Sequence, residues 1–261
     1  HDKGKFILTG STSLSKEERE EEIFHSGTGR IAIMKMNPMS LYESGDSTGD
    51  VSIEEMFSGN VNCKYIRKVE LDELAKLIIR GGWPENIDKE GDDIEVIPRS
   101  YIESVITRDI NERKDKKRDS NKMRMLIRSL SRNETTIAGN DTIVKDIEEF
   151  ENTDDLIASR LTVADYVSVL DDLYLTANQE AFSINYRSSK RIGKSPKRHL
   201  VDPSLACASL DLTVDKLLND HETFGLLFEA LVERDLRIYM DYLDGHLYHF
   251  RDNVSGDEVD S

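Results

Sequence analysis

The chain has 261 residues, 38% of them hydrophobic and 33% charged, with a formal net charge of −16. That balance excludes a disordered chain and leaves room for two or three small domains. Its apolar runs, such as Leu77-Ile78-Ile79, are far too short to span a bilayer, and uniform acidity repels nucleic acid, so any DNA contact needs a local basic patch.

Taken in chain order, residues 6–11 (Phe-Ile-Leu-Thr-Gly-Ser) predict a buried strand stopped by small polar residues. A charged helix over 16–24, a Gly-rich turn and a second strand over 31–36 follow. The first residue is His1, and the chain stops at Asp260 and Ser261 inside a strand-like stretch. Both ends read as cut, which makes this a piece of a longer protein. Residues 44–50 form a polar, Gly-rich linker. The spacing of Leu71, Leu74, Leu77 and Ile78 predicts an amphipathic helix over 70–80. Gly81 at its end supplies a left-handed residue, and Pro84 prevents continuation. Residues 100–108 predict another helix, with Tyr101, Val105 and Ile106 inward.

Residues 122–130 and 142–150 predict two further helices. Thr162, with Asp165 three residues on, reads as the N-cap of a helix carrying Val163, Tyr166, Val167, Leu170 and Leu173. Residues 175–182 and 199–201 read as paired strands. Helices, strand, basic loop, strand is the order of a winged helix-turn-helix, with residues 183–198 as the wing. A long helix over 221–243 bears Phe224, Leu227, Phe228 and Leu231 on one face. Residues 247–250 and 258–260 predict a hairpin.

Charge is unevenly placed. Between Ala181 and Val201 there is no acid, but there are Arg187, Lys190, Arg191, Lys194, Lys197 and Arg198. A second basic cluster runs over 113–132, and 134–155 is acidic. The cysteines, Cys63 and Cys207, lie far apart with no metal-type spacing, which fits a reducing cytoplasm.

Several segments together resemble a known family. They are residues 6–11, His25 to Arg30, Pro38 to Ser44, Arg80-Gly81-Gly82-Trp83-Pro84, Arg128-Ser129-Leu130, His199 to Ala206, Phe224 to Glu229 and Arg251-Asp252. In this order they resemble prokaryotic AAA-like ATPases with a DUF4143 region. The resemblance implies a helix-rich α/β chain: the C-terminal edge of a P-loop ATPase core over 1–45 and a helical lid over 46–118. A winged helix over 119–203 and a truncated PD-(D/E)xK nuclease-like domain over 204–261 complete it. It also implies ATP and Mg2+ in the intact protein, Thr9 and Ser11 as γ-phosphate sensors, and Arg30 as an arginine finger. Glu229 and Asp260 would hold a divalent metal in the nuclease-like part.

Some motifs are decoys. Gly193-Lys194-Ser195 mimics the end of a P-loop, but Ser188 stands where the first glycine belongs, and Pro196 denies the helix that should follow. Trp83 reads as core packing beside a helix end, and Met34, Met36 and Met39 as core or lid packing. His246 and His249, three apart on a strand, face opposite ways. The basic loop predicts weak, sequence-independent DNA contact through Arg187, Lys190, Arg191, Lys194 and Arg198, because Asp165, Asp171 and Asp172 make the preceding helix a poor groove reader. Two readings therefore stand: an ATP-coupled arm, or a winged-helix module that binds DNA or a protein without catalysis.

Overall fold

The computed structural model describes residues 7, 34–59, 68–109, 118–150, 159–182, 195–251 and 257–260. In chain order come α1 (Ile53–Phe57), α2 (Leu71–Arg80), two 3-10 turns (Pro84–Asn86 and Gly91–Glu95) and α3 (Val96–Ser104), which runs into a π-helical turn (Val105–Asp109). Then come α4 (Ser120–Arg132), α5 (Asn140–Phe150), α6 (Arg160–Asp172) and β1 (Glu180–Ala181). Finally α7 (Pro203–Ser209), α8 (Val214–Asn219), α9 (His221–Tyr242), β2 (Tyr248–Arg251) and β3 (Glu258–Val259) close the order. Among the described residues the fold is helix-rich α/β with one small sheet. β1 pairs parallel to β2, with Glu180 opposite Tyr248, and β2 pairs antiparallel to β3, with Phe250 opposite Val259. Thr176 and Gln179 bridge Leu200 and Lys197 in antiparallel fashion, so the 175–182 segment is held on both sides. No helix among the described residues is long and apolar enough to cross a membrane.

One hydrophobic cluster joins the helices. It takes Ile78 and Ile79 from α2, Met123 and Leu126 from α4, Ile143 and Ile147 from α5, Leu170 from α6, Leu205 from α7 and Leu227 from α9. The α2 helix forms where its apolar period predicts, but Leu71 is exposed and Ala75 is buried in its place. Gly81 has φ +68° at the helix end, as its position demands. A Cβ there would strike Ser204 Oγ and lie 2.6 Å from Asp202 Oδ1, so packing requires glycine as well as the turn.

Several expectations need correction. The helix expected from residue 100 begins at Val96; Pro98 lies in its first turn, where the missing N–H has no intrahelical partner to lose. The α6 cap is Ser159, whose Oγ accepts from Thr162 N at 3.2 Å, one turn earlier than Thr162 itself. Asp165, one of the acids that make α6 a poor groove reader, pairs with Arg118, whose Nε lies 3.5 Å away. Met34 and Met36 are exposed and outside any strand, not packed in a core. Of the predicted 6–11 strand only Ile7 is described; it is 90% exposed and in no strand. The rest of that strand, the 16–24 helix and residues 31–33 lie outside the described residues.

The 44–50 linker is not a free tether. Asp46 receives Arg80 Nη1 at 3.1 Å, and Met39 N donates to Gly82 O at 2.7 Å. Leu41 N donates to Asp235 Oδ2 at 2.9 Å on α9. Residues 39–46 thus strap the C-terminal end of α2 to the middle of α9.

Candidate functional site

The α9 helix carries Glu233, Arg234 and Asp235 in succession, and all three are buried. Consecutive charges cannot all face solvent from a helix that has a partner on more than one side. Arg234 resolves the problem by ion pairing. Its Nη1 donates to Asp202 Oδ2 at 2.9 Å and its Nη2 to Asp235 Oδ1 at 2.6 Å. Asp202 is also the N-cap of α7, where Oδ1 accepts from Ser204 N at 2.9 Å and Pro203 presets the first helical φ. The same carboxylate accepts from Gly82 N at 2.9 Å, and Trp83 Nε1 donates to Ser204 Oγ at 2.8 Å. The expectation of Trp83 as packing beside the helix end agrees with this placement; its ring lies 4.7 Å from that of Tyr101.

A second polar centre lies beside the sheet. Lys197 Nζ donates to Glu229 Oε1 and to Asp260 Oδ1, each at 2.6 Å. Burial works against the Lys197 charge, yet these two hydrogen-bonded carboxylates more than offset it and raise its pKa above the usual lysine value. Gln179 closes the arrangement by donating from Nε2 to Asp260 O at 2.9 Å. The family resemblance nominated Glu229 and Asp260, and the fold brings them together on Lys197. The resemblance omitted Lys197, the residue between them. The alternation of Lys197 and His199 on one strand face is the signal that could have found it.

His199 and Glu134 complete the buried set. His199 Nδ1 is 3.2 Å from Glu134 Oε1, and Glu134 accepts from Leu200 N at 3.1 Å through Oε2. Burial raises the Glu134 pKa to about 8 and lowers that of His199 to about 4, so both groups are driven toward their neutral forms. Next to them Arg237 donates to Glu233 Oε2 at 3.0 Å and to the carbonyls of Ala177 and Val201. A cleft of about 230 Å³ opens here, lined by Gln179, Glu233, Arg237, Asp241 and Tyr248 among others.

The other nominated residues fall differently. Arg198 is 8% exposed and faces inward; its Nε donates to Ala138 O and its Nη2 to Asn140 Oδ1, each at 2.8 Å. It is therefore no part of an exposed basic surface, because its guanidinium is already committed to the α4–α5 connection. Thr9, Ser11, Arg30, Arg187, Lys190, Arg191 and Lys194 lie outside the described residues. His249 is buried on β2, while His246 precedes the strand and is exposed.

A divalent cation does not fit the Lys197 centre as it stands. Two carboxylates meet there, and an ammonium already occupies the space between them. Among the described residues no group of three or more His, Cys, Asp or Glu side chains could hold a metal ion. The donor set is short of what a hard cation takes from protein, and no catalytic step is derived through one.

No curated protein and no solved structure matches this chain. A family model does, over residues 71–216, more than half of the chain. It corrects the resemblance to AAA-like ATPases of the DUF4143 type, since the matching family is neither. From α2 through the first half of α8, the chain belongs to the family described as Domain of unknown function (DUF8612).

Proposed function

We propose that this chain is a non-catalytic interaction module of winged-helix form, and that α6 docks a protein surface rather than reading DNA. The supporting order is α4, α5 and α6 packed on one another, then two antiparallel extended segments flanking the 183–196 connection. In such a unit the last helix faces the partner. The observation that carries the reading is the outward face of α6, where Leu161 is 81% exposed and Ala164 and Ser168 are also outward. The one base of α6, Arg160, stands at the end of that face and is paired with Asp141 at 3.6 Å, which leaves little there for a base edge or a phosphate. Asp165, Asp171 and Asp172 flank it, and the whole chain carries −16. Such a surface complements a protein patch that is apolar at its centre and basic at its rim. Any contribution from Arg187, Lys190, Arg191 and Lys194 would be electrostatic and lost as salt rises.

The test places a photo-crosslinking residue at Ala164 in cells making the full-length protein, with and without Leu161→Glu. The expected result is a protein adduct that Leu161→Glu abolishes. In parallel, a 20-base-pair duplex at 150 mM salt should bind no tighter than about 10 μM, within the non-specific range. Tight, salt-resistant duplex binding, or an adduct indifferent to Leu161→Glu, overturns the reading.

A second reading, a nuclease-like arm, has one observation in its favour: Glu229 and Asp260 converge. It would require Lys197 to leave the space between them. Addition of 10 mM Mg2+ should then raise the melting temperature, as any ligand of the folded state does; with Lys197 in place, no rise is expected.

A further inference from the structure

The connection between α4 and α5 makes its long-range hydrogen bonds to the 197–201 segment. Thr135 N donates to Arg198 O at 2.8 Å, and Arg198 N donates to Thr136 O at 2.7 Å. The Arg198 side chain adds its bonds to Ala138 O and Asn140. Glu134, immediately after α4, accepts from Leu200 N and meets His199 Nδ1. Thr135 holds φ +60°, a conformation a β-branched residue adopts only under constraint. Six hydrogen-bonding contacts thus tie the helical unit to the sheet through one short interface, and an acid–imidazole pair that is 2% and 3% exposed sits at its centre. His199 Nε2 is buried and has no hydrogen-bond partner among the described residues.

We propose that Glu134 and His199 form a proton-dependent latch between the α4–α5 connection and the 197–201 segment, closed in mildly acidic conditions and loosened as pH rises past neutrality. Glu134 faces Asp202 at the start of α7 and Glu229 and Arg237 on α9; His199 faces Lys197 on its own strand and Glu229, Glu233 and Arg237 on α9. Burial outweighs the Leu200 hydrogen bond and the Arg237 charge, both of which favour an ionised Glu134, and Arg237 is itself bonded to Glu233.

The direction follows from the two shifts. Glu134 is raised from 4.5 to about 8, so its contribution is full below 4.5 and is lost as pH rises toward 8. His199 is lowered from 6.5 to about 4, so its contribution is full above 6.5 and is lost as pH falls toward 4. Between 4.5 and 6.5 the two slopes cancel. Above 6.5 only the Glu134 loss remains, about tenfold in the opening equilibrium per pH unit until about 8. The latch is independent of whether α6 binds a protein.

Two measurements decide the matter. Hydrogen exchange at the Thr135 and Leu200 amides, corrected for intrinsic rates, should show protection falling more than tenfold between pH 6.5 and 8. In Glu134→Gln, which keeps a donor and an acceptor but cannot ionise, that fall should vanish. Carbon-13 NMR of glutamate-labelled wild-type protein should also show one carboxyl titrating near 8. If every carboxyl titrates near 4 to 5, or if Glu134→Gln lowers protection by the same factor at each pH, the pair is a plain structural bond and the proposal falls.

Discussion

Arg234 and Asp202 meet at 2.9 Å with side chains 1% and 0% exposed, 32 positions apart in the chain. Asp202 also holds Gly82 and the first turn of α7, and Arg234 also holds Asp235, which in turn fixes Leu41. One buried pair therefore joins four separate segments. A charge so placed is tolerable only because each of its hydrogen bonds is answered.

Removing Arg234 should leave two buried carboxylates without their cation. Arg234→Ala is expected to cost about 3–5 kcal/mol, read from the urea midpoint, and Arg234→Lys should restore little of it. A single ammonium cannot reproduce the forked geometry that reaches Asp202 and Asp235 together. Full recovery with lysine would show that charge alone matters there.

The glycines separate packing from conformation. Gly81 and Gly91 both have positive φ, +68° and +60°, but among the described residues a Cβ at Gly91 meets nothing within 4 Å. Gly91→Ala should therefore cost only the conformational term, about 1 kcal/mol. Gly81→Ala must in addition push apart Ser204 and Asp202, and should lower the melting temperature at least twice as far. Equal shifts for the two variants would remove the packing argument.

At the Lys197 centre, the two carboxylates should not count equally. Glu229 is 30% exposed and Asp260 53% in their side chains. Solvent screening weakens the more exposed pair, so double-mutant cycles with Lys197→Met should give about 1–2 kcal/mol for Glu229→Gln and under about 1 kcal/mol for Asp260→Asn. The reverse order would mean that the Asp260 contact is the tighter one in solution.

Capping of α6 offers a smaller but sharp test. Ser159→Ala should cost about 1 kcal/mol by stranding Thr162 N, whereas Thr162→Ala should cost well under that. Chemical denaturation of the two variants suffices; a larger loss at Thr162 would return the cap to where spacing first suggested it.

What was legible in the sequence is local. The apolar period of α2 and α6, the turn at Gly81 and the hairpin that pairs Phe250 with Val259 follow from patterns within a dozen residues, because backbone hydrogen bonding and one-sided burial act over that range. Cap positions slipped by a turn, as at Ser159, since several hydroxyl residues near a helix start can each accept the bond and only the path of the preceding chain selects one. Glu229 and Asp260 were nominated, yet nothing local could say that Lys197 would stand between them, or that Arg198 in a basic run would turn inward to Ala138. The burial of Glu134, His199 and Arg234 is likewise a tertiary decision. Each looks like a surface charge or an isolated histidine in the chain, and each becomes tolerable inside only where a partner dozens of residues away arrives with the matching donor or acceptor.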